Sequence, residues 1–288
     1  MRALLLVSLM VMLGPPNQAI GARDGQSRRY ISLAPATTEI LFALGLGEEI
    51  VGVSSYCDYP PEAKTKQAIG SFSSPNAEKI IALRPDYIFA TGLEQAMAVN
   101  QLRQLNLKVY VSDPANMAEL LASIREIGRL TARQIQAETL ITKMRAVLKK
   151  IETKIKLIPV ERRPRVFVEF WHDPLTTAGG RSFISELVTL AGGVNIAADI
   201  DKPYVHFSPE EVVRRNPGCI ILVYMQGAAQ KENLGRRLGW NKITALKNNR
   251  VYNDIDPNIL LRPGPRLTDG LDELYQRLYS EKCITTGK

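Results

Sequence analysis

Four aromatic residues carry the clearest chemistry in this chain. Tyr56, Phe72, Trp171 and Tyr204 fall in or beside loops predicted to follow strands, where the crevice of a parallel α/β sheet forms. Flat apolar walls with a few polar groups suit a large, rigid, partly apolar ligand. Ordinary core packing is the competing use of each ring. Arg262 and Arg266, in the run RPGPR, offer fixed planar donors for an amide or carboxylate, or else a surface salt bridge or helix cap.

Catalytic and metal chemistry find less support. The two histidines, His172 and His206, are both expected in loops of the second half. The sequence has no GxSxG elbow, no P-loop and no GxGxxG, since GLGEE lacks its third glycine. A zinc or manganese centre needs several His, Asp or Glu side chains converging on one point, and the first half has no histidine. An enzyme on a two-lobed α/β scaffold is therefore the alternative of another class. An exported scaffold with no small ligand would leave the aromatic loops without a use.

The elements that must position these residues appear in duplicate. SPNAEKIIALRPDYIFATG, ending at Gly92, aligns without gaps with HFSPEEVVRRNPGCIILVY, ending at Tyr224. Each copy reads as a Ser/Pro/Asn start, a short helix with a Glu in its first turn, a proline stop and an apolar β-branched strand. Glu78 matches Glu210, 132 positions on (210 − 78). The repeat implies two related lobes with a cleft between them. It also puts an aromatic, Phe72 or Tyr204, six residues before each glutamate. Acidic residues suit a first helical turn on dipole grounds alone. Two displayed symmetrically would also suit paired arginines on a two-fold partner.

Alternating strands and helices predict an α/β fold with two similar lobes built on mostly parallel sheets. Residues 29–113 form the expected first lobe and 162–280 the second, with a tail at 281–288. Between them, residues 114–158 read as a connecting segment: Asp113-Pro114 as a helix start, a break near Gly128 and Thr131, then helical periodicity to Pro159. A helix of about 26 residues would reach about 39 Å. It would run along both lobes and resist their rotation, so the cleft should change little on binding.

Composition fits a soluble globular protein: 288 residues, 45% hydrophobic, 23% charged and a mean hydropathy of −0.09. Arg2, the run ALLLVSLMVML and the small residues around Ala19 and Ala22 read as a secretory signal over 1–22. The apolar run is about half the ~20 residues a membrane span needs. No Cys stands at the expected cleavage point, so a free periplasmic protein is expected rather than a lipid-anchored one. The net charge of +8 is spread along helices among glutamates, which reads as solvated surface and not as a nucleic-acid patch. Cys57, Cys219 and Cys283 are odd in number and show no metal spacing. Cys219 is expected to be a small core residue.

SLAPATTEILFALG, VGVSSYCDYPPEA, NAEKIIALRPD, VFVEFWHDPLTTAGG, LAGGVNI and RPGPR together resemble the periplasmic substrate-binding proteins of ABC importers for vitamin B12, haem and iron-siderophores. The likeness covers roughly residues 29–280 and is strongest to the cobalamin-binding members. It implies a non-catalytic protein, acting as a monomer, that captures cobalamin or a related corrinoid and delivers it to an ABC permease dimer. Haem or a ferric siderophore is the alternative ligand. By the resemblance Tyr56 and the loop from Asn258 to Arg262 contact the ligand. Phe72 and Tyr204 stand where cobalamin binders carry tryptophans, and Glu78 and Glu210 match the docking glutamates. Trp171 and His172 replace small or apolar residues at the cleft edge. His172 and His206 are the candidate axial ligands for a cobalt or iron centre. A cysteine pair that bridges the second lobe of the cobalamin binder is absent, with Ala191 and Tyr275 at about those places.

Overall fold

The structure, a computed structural model, describes residues 27–224 and 234–279. The expected signal segment, Cys283 and the tail lie outside the described residues. The first lobe is a four-stranded parallel sheet of order β2-β1-β3-β4. Its strands are β1 (Tyr30–Ser32), β2 (Ile50–Val53), β3 (Tyr87–Ala90) and β4 (Val109–Val111). Helices α1 (Pro35–Ala43), α2 (Ala77–Ala82) and α3 (Ala96–Gln104) connect them. In register, Ile88 sits between Ile31 and Val109. Ile31, Leu33, Ile88, Ala90, Val99 and Leu102 pack on one face of the sheet.

Two helices follow, α4 (Met117–Leu130) and α5 (Gln134–Ile155). The expected start at Asp113-Pro114 is displaced to Asn116. The Asn116 side chain accepts from Glu119 N–H at 2.9 Å, and Glu119 reaches back to Ala115 N–H at 2.8 Å. This reciprocal cap satisfies more of the end than Asp113-Pro114 would. The break near Gly128 and Thr131 is present. A Cβ on Gly128 would sit 2.5 Å from that of Ala137, so glycine lets the two helices touch. Because Ala132 takes a left-handed φ of 57°, α5 starts late. It has 22 residues, about 33 Å at 1.5 Å per residue, shorter than the expected 26 and 39 Å. Ala137, Ile141, Met144 and Ile151 are its buried stripe.

The second lobe has a sheet of order β10-β9-β5-β6-β8, with β7 also on β5. Its strands are β5 (Arg165–His172), β6 (Leu175–Ala178), β7 (Val194–Asn195), β8 (Tyr204–His206), β9 (Cys219–Leu222) and β10 (Val251–Tyr252). The pairs β10–β9, β9–β5 and β5–β7 are parallel, whereas β5–β6 and β6–β8 are antiparallel. WHDPLTTAGG is thus the turn and return strand of a hairpin, an extension that helix–strand alternation does not announce. Helices α6 (Phe183–Leu190), α7 (Pro209–Arg215) and the C-terminal helix Leu267–Leu278 complete the lobe.

The repeat holds atom for atom in its punctuation. Asn76 caps α2 and Ser208 caps α7 by the same side-chain bond, 132 residues apart (208 − 76). Arg84 (φ 46°) and Asn216 (φ 42°) end both helices in the left-handed region, each just before its proline. The lobes also share one core. A single buried cluster runs from Tyr30, Ile40 and Phe89 through Ile124, Ile141 and Met144 to Val166, Leu187 and Leu271. Cys219 is fully buried within it.

Candidate functional site

Segments that follow strands of the two sheets meet, and ion pairs join them. Arg262 lies just past the short helical turn Asn258–Leu261 of the second lobe. It donates from Nη1 and Nη2 to Asp58 of the first lobe, at 2.5 and 3.3 Å. Arg266 clamps Glu39 of α1 with Nε at 2.9 Å and Nη2 at 2.7 Å and lies 3.7 Å from the Tyr59 ring centroid. Both guanidiniums are largely buried. This is neither the surface pair nor the helix cap weighed for them: RPGPR ties the lobes together. The Arg262 hydrogen bond holds the Asp58 carboxyl below its usual range.

On the first lobe, Tyr56 follows β2 and is 53% exposed. Its ring meets the edge of Phe72, 6.3 Å between centroids. The loop beneath is fixed by Cys57, whose buried thiol accepts from Thr38 Oγ1 at 3.0 Å and lies 3.3 Å from Ser54 Oγ. Burial pushes that thiol's pKa up, so it stays a neutral packing group. Buried Gln95 holds Phe72 in place. Its amide donates to the Phe72 and Leu33 carbonyls, each at 2.8 Å, and its oxygen accepts from Thr91 N–H.

On the second lobe, Trp171 and His172 are the last residues of β5 and His206 the last of β8, so neither histidine is in a loop. The β5–β6 hairpin continues the strand past its parallel partner and carries both rings outward. Trp171, His172 and Tyr224 form one cluster, with centroids 5.1 to 6.2 Å apart and the His172 and Tyr224 planes 20° apart. His206 Nδ1 lies 3.1 Å from Thr176 Oγ1. Tyr204 is 62% exposed and packs edge-on against Phe170. Partial burial, then the charges of Glu94 and Asp113 of the first lobe, push the phenol's pKa up. The ring's open face means solvent screens much of this effect. Asn258 binds Asp256 Oδ1 through both its backbone N–H and its side chain, at 2.9 Å.

Sequence reasoning misses the base of the aromatic cluster. Glu169 is fully buried. It accepts from Arg237 Nη1 at 2.7 Å and Nη2 at 2.8 Å, and from the Tyr224 hydroxyl. Burial and that carboxylate hold the Tyr224 phenol well above its ordinary pKa. The missed signal is the lone acid in the apolar run VFVEF, since an interior strand rarely buries an unpaired charge. Among the described residues no three His, Cys, Asp or Glu side chains gather as a metal site.

A sequence profile of the family described as "Periplasmic binding protein" matches residues 31–257. The chain belongs to that family. It is 34% identical over 261 residues to the Bacillus subtilis "uncharacterized ABC transporter substrate-binding lipoprotein YvrC", covering 89% of this chain and 81% of that one. The crystal structure of the periplasmic vitamin B12 binding protein BtuF of Vibrio cholerae superposes with a TM-score of 0.73 at 30% identity, covering 87% of this chain and 96% of that one. The periplasmic haem-binding protein RhuT from Roseiflexus sp. RS-1 does so at 0.78 and 26%, covering 90% and 100%.

Proposed function

We propose that this protein is the periplasmic capture component of an ABC importer. It binds cobalamin or a related corrinoid between its lobes and acts by binding, not catalysis. The observation that carries the reading is the pair of aromatic sets, Tyr56–Phe72 after a strand of the first sheet and Trp171–His172–Tyr224 with Tyr204 on the second, in lobes that the Arg262–Asp58 pair holds together. Two sets of rings, with Tyr56, Trp171 and Tyr204 exposed, suit the faces and rim of a bulky macrocycle. In this reading Asn258 and the Arg262 loop contact the ligand from the second lobe. The likeness to vitamin B12-binding proteins supports the same ligand.

Delivery follows from the repeat. Glu78 and Glu210 stand in the first turns of equivalent helices; both are exposed, and neither joins an ion pair among the described residues. They would dock on paired cations of a permease dimer, with the protein acting as a monomer after loss of residues 1–22. The Arg237–Glu169 base and the shared core favour a site that is largely preformed. Haem is the second reading, favoured by the exposed imidazole of His172 within the aromatic cluster. Titration of the protein lacking residues 1–22 with cyanocobalamin, haem and a ferric siderophore, read by tryptophan fluorescence and ligand absorbance, tests it. Tight one-to-one binding of cyanocobalamin alone supports the corrinoid reading. A shifted Soret band, lost in His172→Ala, replaces it with haem.

A further inference from the structure

The arginines around the cleft are already spent. Arg237 is held by Glu169 in a two-pronged pair, Arg266 by Glu39 in another, and Arg262 by Asp58. Three guanidiniums against three carboxylates leave no net charge from these groups to meet an anion. Two further carboxylates remain. Glu94 and Asp113 form no ion pair among the described residues, and both stand at the carboxyl edge of the first sheet. Asp113 lies two residues past β4, next to Ser112, whose N–H bonds the carbonyl of Ala90 at the end of β3. Its carboxylate lies directly on Gly92, where a Cβ would come 1.7 Å from Oδ2. Glu94 is in the next turn, beside the Gln95 that holds Phe72. Their fields reach Tyr204 on the opposite wall. In the connections that flank β6 and β8, Arg181 is paired with Asp201 at 3.8 Å, and the two carboxylates outnumber the exposed Lys202 beside Tyr204.

We infer that the cleft sorts macrocycles by charge: it admits a ring fringed with neutral amides and disfavours the same ring bearing free carboxylates, with Glu94 and Asp113 as the specificity-determining residues. This rests on the reading of the cleft as a corrinoid site. The overall charge of +8 would draw anions to the molecule from afar. The rim opposes them within a Debye length of about 8–10 Å, where ring substituents seat.

The test compares cyanocobalamin with its monocarboxylate, made by hydrolysing one side-chain amide, by calorimetry at low ionic strength. The two differ by little but one charge. The acid is expected to bind about tenfold more weakly, as one like charge at several ångströms and intermediate dielectric implies. The gap should shrink to within about twofold in Glu94→Gln/Asp113→Asn and in high salt. Equal affinity for the two, or a gap unchanged in the double variant, overturns the inference. If cyanocobalamin itself does not bind, the pair becomes haem and haem dimethyl ester. A tighter ester keeps the charge rule and discards the corrinoid; a tighter free acid, or no binding of either pair, discards both.

Discussion

Replacing Arg237 with methionine keeps much of the side-chain volume and removes the guanidinium. Glu169, fully buried, then keeps only the Tyr224 hydroxyl of its three side-chain donors. It cannot turn to water, because β5 is paired on both sides there, to Leu222 and to Thr177. Breaking one partner of such a pair costs about 3–5 kcal/mol. The lost contact of Arg237 over Trp240, 4.4 Å from its centroid, adds only about 0.5–1 kcal/mol, so the stranded carboxylate dominates. Urea unfolding followed by far-UV circular dichroism and by Trp240 fluorescence reads the loss directly. At about 2–4 °C per kcal/mol for a protein near this size, the melting point should fall by roughly 6–20 °C. Glu169→Leu/Arg237→Met removes both charges and should be more stable than Arg237→Met alone, since an apolar pair often replaces an ion pair at little cost. A single variant within 1 kcal/mol of the parent, or a double variant as unstable as the sum of the two singles, refutes the account of Glu169 as a buried charge held by Arg237.

Tyr56→Ala should weaken cyanocobalamin binding about tenfold, with stability nearly unchanged because the ring is already 53% exposed; calorimetry beside a melting curve separates the two. Glu78→Arg and Glu210→Arg should each leave ligand affinity intact and lower permease-dependent uptake, together abolishing it; unchanged uptake in the double variant would remove the docking role. Gly92→Ala places a methyl on the Asp113 carboxylate and should cost about 1–3 kcal/mol in urea unfolding. For Asp58, whose folded pKa is depressed by Arg262, stability from the pair is present above the unfolded value of about 3.9 and is lost as pH falls through the folded value. With Asp58 44% exposed, the loss below about pH 4 should be no more than about 1 kcal/mol, and Asp58→Asn should remove that part of the acid dependence.

Much of this was legible in the residues. The gapless repeat foretold two lobes, both helix caps and the equivalence of Glu78 and Glu210, because caps, prolines and apolar strands are local signals. Helix bounds were less so. Asp113-Pro114 looks like a helix start, yet Asn116 and Glu119 satisfy the end better, and the left-handed turn at Ala132 shortens α5 without changing its apolar period. The β5–β6 hairpin was hidden because a direct antiparallel return leaves no helix between strands, and β8 joins its edge only after α6 and β7. Arg262 was recognised as a fixed donor, but its acceptor lies 204 residues away in Asp58, and no local pattern encodes such a distance. Trp171 and His172 stand out in the sequence as ring-bearing residues at the end of a strand; their support by Glu169 and Arg237, 68 residues apart, does not.

Glu39 carries a consequence for how the chain is made. It sits in the first helix, 3% exposed, and its two-pronged partner Arg266 lies 227 residues later. A chain emerging amino-terminus first has no counter-ion for that carboxylate until it is nearly complete. Arg262, Gly264 and Arg266 of RPGPR are the groups that lie against that carboxylate, so both its burial and its counter-ions come only when the last part of the chain closes over α1. The two lobes look like separate units, but they finish folding as one. A fragment ending at residue 113 should remain loosely packed however complete its sheet, because α4, α5 and the second lobe's share of the common core are missing from it.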